Sequence, residues 1–341
     1  MADPFARQPL GRTGVCVSGL GFGTMGVGGQ YTDVTDADAS ATLAAAWARG
    51  LRFFDTAPQY GCGLAEERLG RAAKSWPRGD AVIATKVGKR IAPLGSGGAR
   101  QATALFPGGH DREMVFDYSY DGTRRQVDES LARLQLDYLD LVLIHDVTRH
   151  FHGDATEARF SEAMAGSVAA LARLKTEGVV RAFGTGLKDV DIARRFAVEA
   201  DIDCVLLPGR LTLVDQTGLT EGLLDACRAR GVSLIAAGVF DSGILATGPV
   251  AGATSGYRPA GDDVRARVAR IDAICRASGV PLQAAALSYP GRHQGVAGVL
   301  AGMRSAAEVA QNIAWMATPV PDGLWQALAD DAEIALPRPG G

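Results

Sequence analysis

The chain has 341 residues, with 35 Lys plus Arg against 38 Asp plus Glu and a formal net charge of −3. That balance leaves no basic excess to neutralise a phosphate backbone, which excludes a general nucleic-acid binder, and 47% hydrophobic against 21% charged residues excludes extended disorder. Glycine stands out at 43 residues, where a usual share of roughly 7% would give about 24.

Residues 1–15 lack the apolar core of a signal peptide. No stretch reaches the roughly 18 apolar residues of a membrane span. A cytoplasmic protein with no membrane partner is therefore expected. Leu10-Gly11-Arg12-Thr13-Gly14, within residues 6–14, reads as the turn of a small N-terminal hairpin. Short apolar runs follow at 15–21, 51–55, 81–86, 139–145, 179–184, 204–207, 232–237 and 295–300, and each predicts a strand. Amphipathic stretches such as 36–49, 122–134, 166–176 and 219–230 lie between them and predict helices. Arg49-Gly50, Glu177-Gly178 and Arg230-Gly231 are helix stops, a left-handed glycine after the last turn.

Eight strands alternating with helices predict an α/β fold, a (β/α)8 TIM barrel with an N-terminal β-hairpin, as one domain over residues 1–341. A self-contained barrel is expected to be a monomer. Segments 87–121, 146–161 and 241–262 are rich in Gly, Pro, Asp and His, and each follows a strand. They are predicted to be long loops at the carboxyl face, where barrels hold ligands. The cysteines, Cys16, Cys62, Cys204, Cys227 and Cys275, are scattered and form no C-x-x-C pair. Neither a disulfide framework nor a metal site is expected from them.

Gly21-Phe22-Gly23-Thr24-Met25-Gly26 is a literal G-x-G-x-x-G after a strand. A dinucleotide fingerprint would open straight into a helix. Here helical periodicity begins only near Asp36, so the motif reads as a glycine-rich loop near a ligand. More specific are the strand ends. Asp55, Lys86 and His145 terminate three successive strands, and Tyr60 lies in the loop after the first of them. Barrel strands deliver their last side chains into one mouth, so these four are predicted to converge. Together they suit proton transfer at a carbonyl or alcohol oxygen. A neighbouring ammonium is expected to lower the tyrosine pKa, a carboxylate to place the ammonium, and the imidazole to orient the oxygen. Hydride transfer with a nicotinamide is the natural partner chemistry.

At Leu51-Arg52-Phe53-Phe54-Asp55-Thr56-Ala57, Tyr60-Gly61, Ala84-Thr85-Lys86 and Leu143-Ile144-His145 the chain resembles the aldo-keto reductase family over nearly its whole length. The resemblance implies NAD or NADP as cofactor, with Asp55, Tyr60, Lys86 and His145 as the catalytic tetrad and Tyr60 as general acid or base. It further implies cofactor contacts at Gly23, Thr24 and Met25. Others follow at Gly238, Val239, Phe240 and Ser242 for the pyrophosphate, and at Gly302, Arg304, Glu308, Gln311 and Asn312 for the nucleotide end. Glu308, where some relatives carry Arg, would accept ribose hydroxyls and repel a 2′-phosphate, which implies NAD over NADP.

Within the family the nearest likeness is to the branch of D-threo-aldose 1-dehydrogenases and L-fucose dehydrogenases, with pyridoxal dehydrogenases nearby. It rests on Tyr60-Gly61-Cys62-Gly63-Leu64, Phe116-Asp117-Tyr118-Ser119-Tyr120-Asp121-Gly122, His145-Asp146 and Gly209-Arg210-Leu211-Thr212-Leu213. That implies oxidation of the anomeric C1 hydroxyl of an aldose, such as L-fucose or another D-threo-aldose, to a lactone. An NADPH-dependent aldehyde, ketone or pyridoxal oxidoreductase is the alternative, and a cofactor-binding regulatory subunit with little turnover is a third reading. Three departures from the family stand out. The Ser-Asn pair that holds the carboxamide is Gly186-Leu187, the tyrosine of the Gly-Arg-Tyr-Thr stretch is Leu211, and an Asn near the pyrophosphate is Asp241. Of the other histidines, His152 is the one expected to face substrate.

Overall fold

The computed structural model describes residues 3–100 and 105–337. The chain opens with a hairpin of β1 (Arg7–Pro9) and β2 (Cys16–Ser18). Barrel strands β3 (Leu20–Gly23), β4 (Phe53–Asp55) and β5 (Val82–Val87) follow. A side sheet of β6 (Lys89–Ala92), β7 (Ala99–Arg100) and β8 (Glu113–Phe116) interrupts them. The barrel resumes with β9 (Leu139–His145), β10 (Val180–Gly186), β11 (Cys204–Pro208) and β12 (Ser233–Ala237). A second hairpin, β13 (Thr254–Ser255) with β14 (Arg258–Pro259), precedes the last barrel strand, β15 (Val296–Gly302). Eight strands close in the order β10-β11-β12-β15-β3-β4-β5-β9, all parallel.

The strands read as largely apolar runs because both faces are covered. Leu139–His145 is buried at every residue. Alternate side chains fill two separate layers. Phe53, Ala84, Leu143, Leu206, Ile235 and Leu300 pack inside the barrel with Leu10, Val15 and Val17 of the hairpin, which therefore plugs the amino-terminal end. Phe22, Phe54, Ile83, Val142, Ile144 and Val205 face outward beneath the helices.

Several elements differ from the sequence reading. The strand predicted over 15–21 is two strands that part at Gly19, where a Cβ would lie 2.4 Å from the Asp3 carbonyl oxygen. The helix predicted over 166–176 is a π-turn, Met164–Val168, running into Ala169–Thr176. The one predicted over 219–230 is two, Thr217–Thr220 and Leu223–Arg230, parted by Gly222 in the left-handed region at φ 74°. Capping fixed the others well. Thr35 Oγ1 accepts the Asp38 N–H to start Asp36–Ala48, and Ser119 Oγ accepts the Gly122 N–H to start Tyr120–Leu134. The three predicted loops carry structure of their own. Segment 87–121 holds the side sheet, with residues 101–104 outside the described residues. Segment 146–161 holds the helix Arg149–His152, and 241–262 holds the second hairpin.

Candidate active site

The inner layer ends in a ring of residues at the carboxyl mouth. Two positions beyond Phe53, Ala84 and Leu143, the same inward alternation reaches Asp55, Lys86 and His145. The same step on the other strands reaches Gly23, Gly186, Pro208, Ala237 and Gly302. The mouth is thus divided. Three neighbouring strands present ionisable groups and the remaining five present very small or ring-closed residues.

In the charged half, Lys86 is 2% exposed and its Nζ donates to Asp55 Oδ1 at 2.8 Å, Asp55 Oδ2 at 2.7 Å and the Thr56 carbonyl at 2.8 Å. Every ammonium hydrogen therefore has an acceptor. Burial holds the Asp55 carboxyl above its ordinary value, with Lys86 pulling it down. Tyr60 arrives from the loop after β4, its ring centroid 4.7 Å from Lys86 Nζ and packed beside Phe106. That loop lies tight on the glycine-rich loop after β3, since a Cβ on Gly61 would come within 2.6 Å of the Gly28 carbonyl oxygen. Gly28, just beyond the fingerprint, is held against this loop as well, since a Cβ on it would lie 3.2 Å from the Ala65 Cβ and the Tyr60 carbonyl carbon.

The expected lowering of the Tyr60 pKa is not what this arrangement produces. Burial first, then the Asp55 and Asp146 carboxylates, hold the phenol well above its usual value. The physical reason is that Lys86 is already engaged by Asp55, so little net positive charge faces the ring. His145, also buried, is pushed down to about 3, mainly by burial, with Lys89 and Lys86 adding to it and Asp146 opposing. The imidazole is therefore neutral throughout the ordinary pH range.

A second ion pair lies beside the first and was missed in the sequence. Lys89, 4% exposed, donates to Asp146 Oδ2 in a very short contact and to Gln59 Oε1 at 2.8 Å, while its Nζ stands 3.9 Å from the centre of the Phe151 ring. Asp146 Oδ2 in turn lies 3.5 Å from His145 Nε2. Tyr118 Oη donates to the His145 carbonyl at 2.9 Å and meets His152 Nε2 at 3.1 Å, and the Phe116 and His152 rings touch at 4.4 Å. His152 is thus part of this wall. The available signal was a lysine three residues beyond Lys86 and an aspartate directly after His145; both fell in stretches without period.

The small half has the character of a ligand floor. A Cβ on Gly302 would meet nothing within 4 Å, one on Gly186 nothing nearer than Leu143 and Lys86 side-chain carbons at 3.6–3.7 Å, and one on Gly23 nothing nearer than 3.4 Å. Packing within the protein does not demand glycine there. Near the same rim, Thr24 Oγ1 and Asn312 Oδ1 are buried without a hydrogen-bond partner. The helix Ala306–Ala317 starts at the rim. Ser305 Oγ accepts the Glu308 N–H at 3.2 Å, and Glu308 Oε2 accepts the Arg304 N–H at 2.8 Å with Oε1 3.5 Å from Arg304 Nε. An open floor, unpaired buried donors and acceptors and a helix N-terminus with Arg304 fit a nicotinamide dinucleotide.

The remaining candidates are dispersed around this rim. Gly238 is exposed at φ 59°, the Val239 side chain is buried in the outer core, and Phe240 packs on Trp315 at 6.2 Å. Met25 packs against the Tyr60 cluster, and Gln311 is exposed on its helix. Leu187, in place of the family's Asn, is wholly buried in the outer layer. Asp241 is turned from the rim to the second hairpin, where it accepts the Ser255 hydroxyl at 2.5 Å, while Ser242 Oγ accepts the Tyr257 N–H at 3.0 Å. Among the described residues no cluster of His, Cys, Asp and Glu is arranged to hold a metal ion, and no helix is long and apolar enough to cross a membrane.

A model of the Aldo/keto reductase family matches residues 19–330. The chain is 40% identical to pyridoxal 4-dehydrogenase of Microbacterium luteolum, covering 96% of this chain and 98% of that one. It is 36% identical to D-threo-aldose 1-dehydrogenase of a Pseudomonas species, covering 95% and 97%. In structure it resembles the holo form of an aldo-keto reductase from Bacillus halodurans, with TM-score 0.77, 26% identity and coverage of 97% and 98%.

Proposed function

The chain belongs to the aldo/keto reductase family and is an NAD(P)-dependent oxidoreductase, and from that premise we propose that it oxidises the hemiacetal carbon of a cyclic substrate to a lactone. The first candidate is C1 of an aldopyranose, such as L-fucose or another D-threo-aldose. The observation that carries this reading is the divided mouth. A buried, hydrogen-bonded proton-transfer group faces an open floor of Gly23, Gly186, Ala237 and Gly302. Bound on that floor, the oxidised nicotinamide supplies the hydride acceptor.

The chain's own residues do the rest. Tyr60 accepts the C1 hydroxyl proton as the carbonyl forms. The Lys86 ammonium, held by Asp55 and the Thr56 carbonyl, faces the ring that must carry the developing negative charge. Neutral His145 donates to the same substrate oxygen and orients it. For the cofactor, the backbone from Gly238 to Ser242 and the helix start at Arg304 would hold the phosphates, Asn312 Oδ1 would accept from the adenine amine, and Thr24 and Met25 would border the nicotinamide. Glu308 stands against Arg304, so a 2′-phosphate would meet a carboxylate there, which favours NAD over NADP.

A second substrate is favoured by the 40% identity to pyridoxal 4-dehydrogenase and by the Phe116, Phe151 and His152 wall. Pyridoxal carries an aldehyde next to a hydroxymethyl group and closes to a hemiacetal of the same kind. The test is nicotinamide reduction by the purified protein with NAD or NADP over L-fucose, other aldoses and pyridoxal. Tyr60→Phe runs beside it. Lactone formation that vanishes in the variant is expected. If only aldehydes are turned over, with consumption of NADPH, the protein is a reductase and the hemiacetal reading fails.

A further inference from the structure

Lys89 has no place in the proton-transfer group described above, yet it joins three loops at the mouth. It follows β5, meets Gln59 from the loop after β4, and meets Asp146 and Phe151 from the segment after β9. Its three ammonium hydrogens are directed at the Gln59 oxygen, the Asp146 carboxylate and the face of the Phe151 ring, so no donor is left over for a substrate. A buried cation with no free donor acts on the reaction through its partners. Asp146 is the partner that touches the proton-transfer group. Its backbone sits in the left-handed region at φ 55°, a conformation that Asp tolerates better than most residues. There its carboxylate lies 3.5 Å from His145 Nε2.

We propose that Lys89 is a positioning residue: it holds the Asp146 carboxylate against the Nε2 edge of His145, which keeps the ring proton on Nε2, the edge that a substrate oxygen would share with Asp146. A carboxylate at that edge favours the tautomer with the proton on the facing nitrogen. The ammonium restrains the same carboxylate from drawing a second proton onto the ring, because Lys89 shares its charge. The charged groups that act on His145 are Asp146 itself, Lys89 from β6 and Lys86 from β5, and Tyr118 and His152 close the backbone side. Among them Lys86 is matched by Asp55, and Asp146 by Lys89. Removing Lys89 alone leaves one uncompensated carboxylate beside the imidazole.

This inference rests on the reading of His145 as the donor to the substrate oxygen, but its test does not need turnover. Ligand-free enzyme labelled with ¹⁵N-histidine is titrated by NMR as wild type, Lys89→Met, Lys89→Arg and Asp146→Asn, with His145 assigned by its absence in His145→Asn. In the wild type His145 should show the Nε2–H tautomer and remain neutral down to the acid limit. In Lys89→Met its midpoint should rise by roughly 1–3 units, the shift an unpaired opposite charge at this range produces. The acid limb of kcat/KM should rise with it. Lys89→Arg should restore the wild-type titration, and Asp146→Asn should lose the tautomer preference with no rise in midpoint.

An unchanged His145 titration in Lys89→Met overturns the proposal, as does a loss of kcat that is uniform with pH, which would make Lys89 only a brace between loops. If the titrations behave as expected while no hemiacetal is oxidised, the substrate reading falls and the positioning role stands.

Discussion

The Lys86–Asp55 pair permits a test in which the magnitude follows from burial. Lys86→Met leaves the Asp55 carboxylate, 4% exposed, beside Phe53 and Ala84 with no cation. Breaking a buried pair in this way costs roughly 3–5 kcal/mol. The orphaned group lowers that cost by taking up a proton. In the wild type, burial already holds Asp55 above its ordinary value while Lys86 pulls it back, so without Lys86 the folded pKa rises further. A carboxyl whose folded pKa is raised contributes its stability fully below the unfolded value, near 3.9, and loses it as pH climbs through the folded pKa. The stability deficit of Lys86→Met should therefore widen with pH.

The slope for one proton is about 1.4 kcal/mol per pH unit, so the deficit should grow by about 2.7 kcal/mol between pH 5 and 7 if the carboxyl still titrates above 7. Urea denaturation of wild type and variant at pH 5, 6, 7 and 8 reads it directly. Asp55→Asn/Lys86→Met, which removes the titrating group, should show a smaller deficit that does not change with pH. A deficit in Lys86→Met that stays flat from pH 5 to 8, or one that still widens in the double variant, would refute the assignment of the cost to Asp55.

Three further outcomes follow from the same geometry. Gly302→Val should leave the unfolding free energy within about 0.5 kcal/mol of wild type, the range of a site with no packing conflict, because a Cβ there meets nothing within 4 Å; it should weaken nicotinamide binding at least tenfold by fluorescence titration, and tight binding would show that the floor is not where the ring lies. With Tyr60 as the proposed base, oxidation would require its phenolate, and because the phenol is held well above its ordinary value, kcat/KM for the alcohol should climb as pH rises from 7 to 9, whereas aldehyde reduction, which would need the phenol, should stay level. Glu308→Arg should raise kcat/KM for NADP relative to NAD by at least tenfold, and an unchanged ratio would place the 2′ position away from this helix.

Legibility in the sequence followed the periodicity. Strands such as Leu139–His145 are buried on both sides and announce themselves as runs that are apolar but for Asp140 and the closing His145. The ends of β4, β5 and β9 could therefore be placed in one mouth from the sequence, as Asp55, Lys86 and His145 were. What lay outside the period was lost. Lys89 is at the start of a short side strand and Asp146 in a left-handed turn, and only the fold brings them against each other and His145. Gly19 looked like strand because Val17 and Leu20 are both wholly buried, although each belongs to a different strand. The sign of the Tyr60 shift was lost for an electrostatic reason: a lysine next to a tyrosine says nothing of how completely a carboxylate has already engaged it.

That engagement bears on how the site would change when it fills. Tyr60 faces Lys86, but two carboxylates, Asp55 and Asp146, hold its proton on. Each carboxylate has its own buried cation, Lys86 and Lys89, so the mouth is close to neutral as four paired charges and neutral rings. An oxidised nicotinamide ring is itself a cation. Laid on the floor of small residues beside these pairs, it would add one positive charge near Tyr60 and make the phenolate easier to form. The reduced ring is neutral and adds nothing. The oxidative direction would thus bring its own activating charge with the cofactor, while the reductive direction would find Tyr60 already protonated. A pH titration of tyrosinate absorbance at 295 nm, read as the difference between wild type and Tyr60→Phe, should show a lower Tyr60 midpoint with the oxidised than with the reduced cofactor. Equal midpoints would mean that the ring does not lie within electrostatic reach of Tyr60.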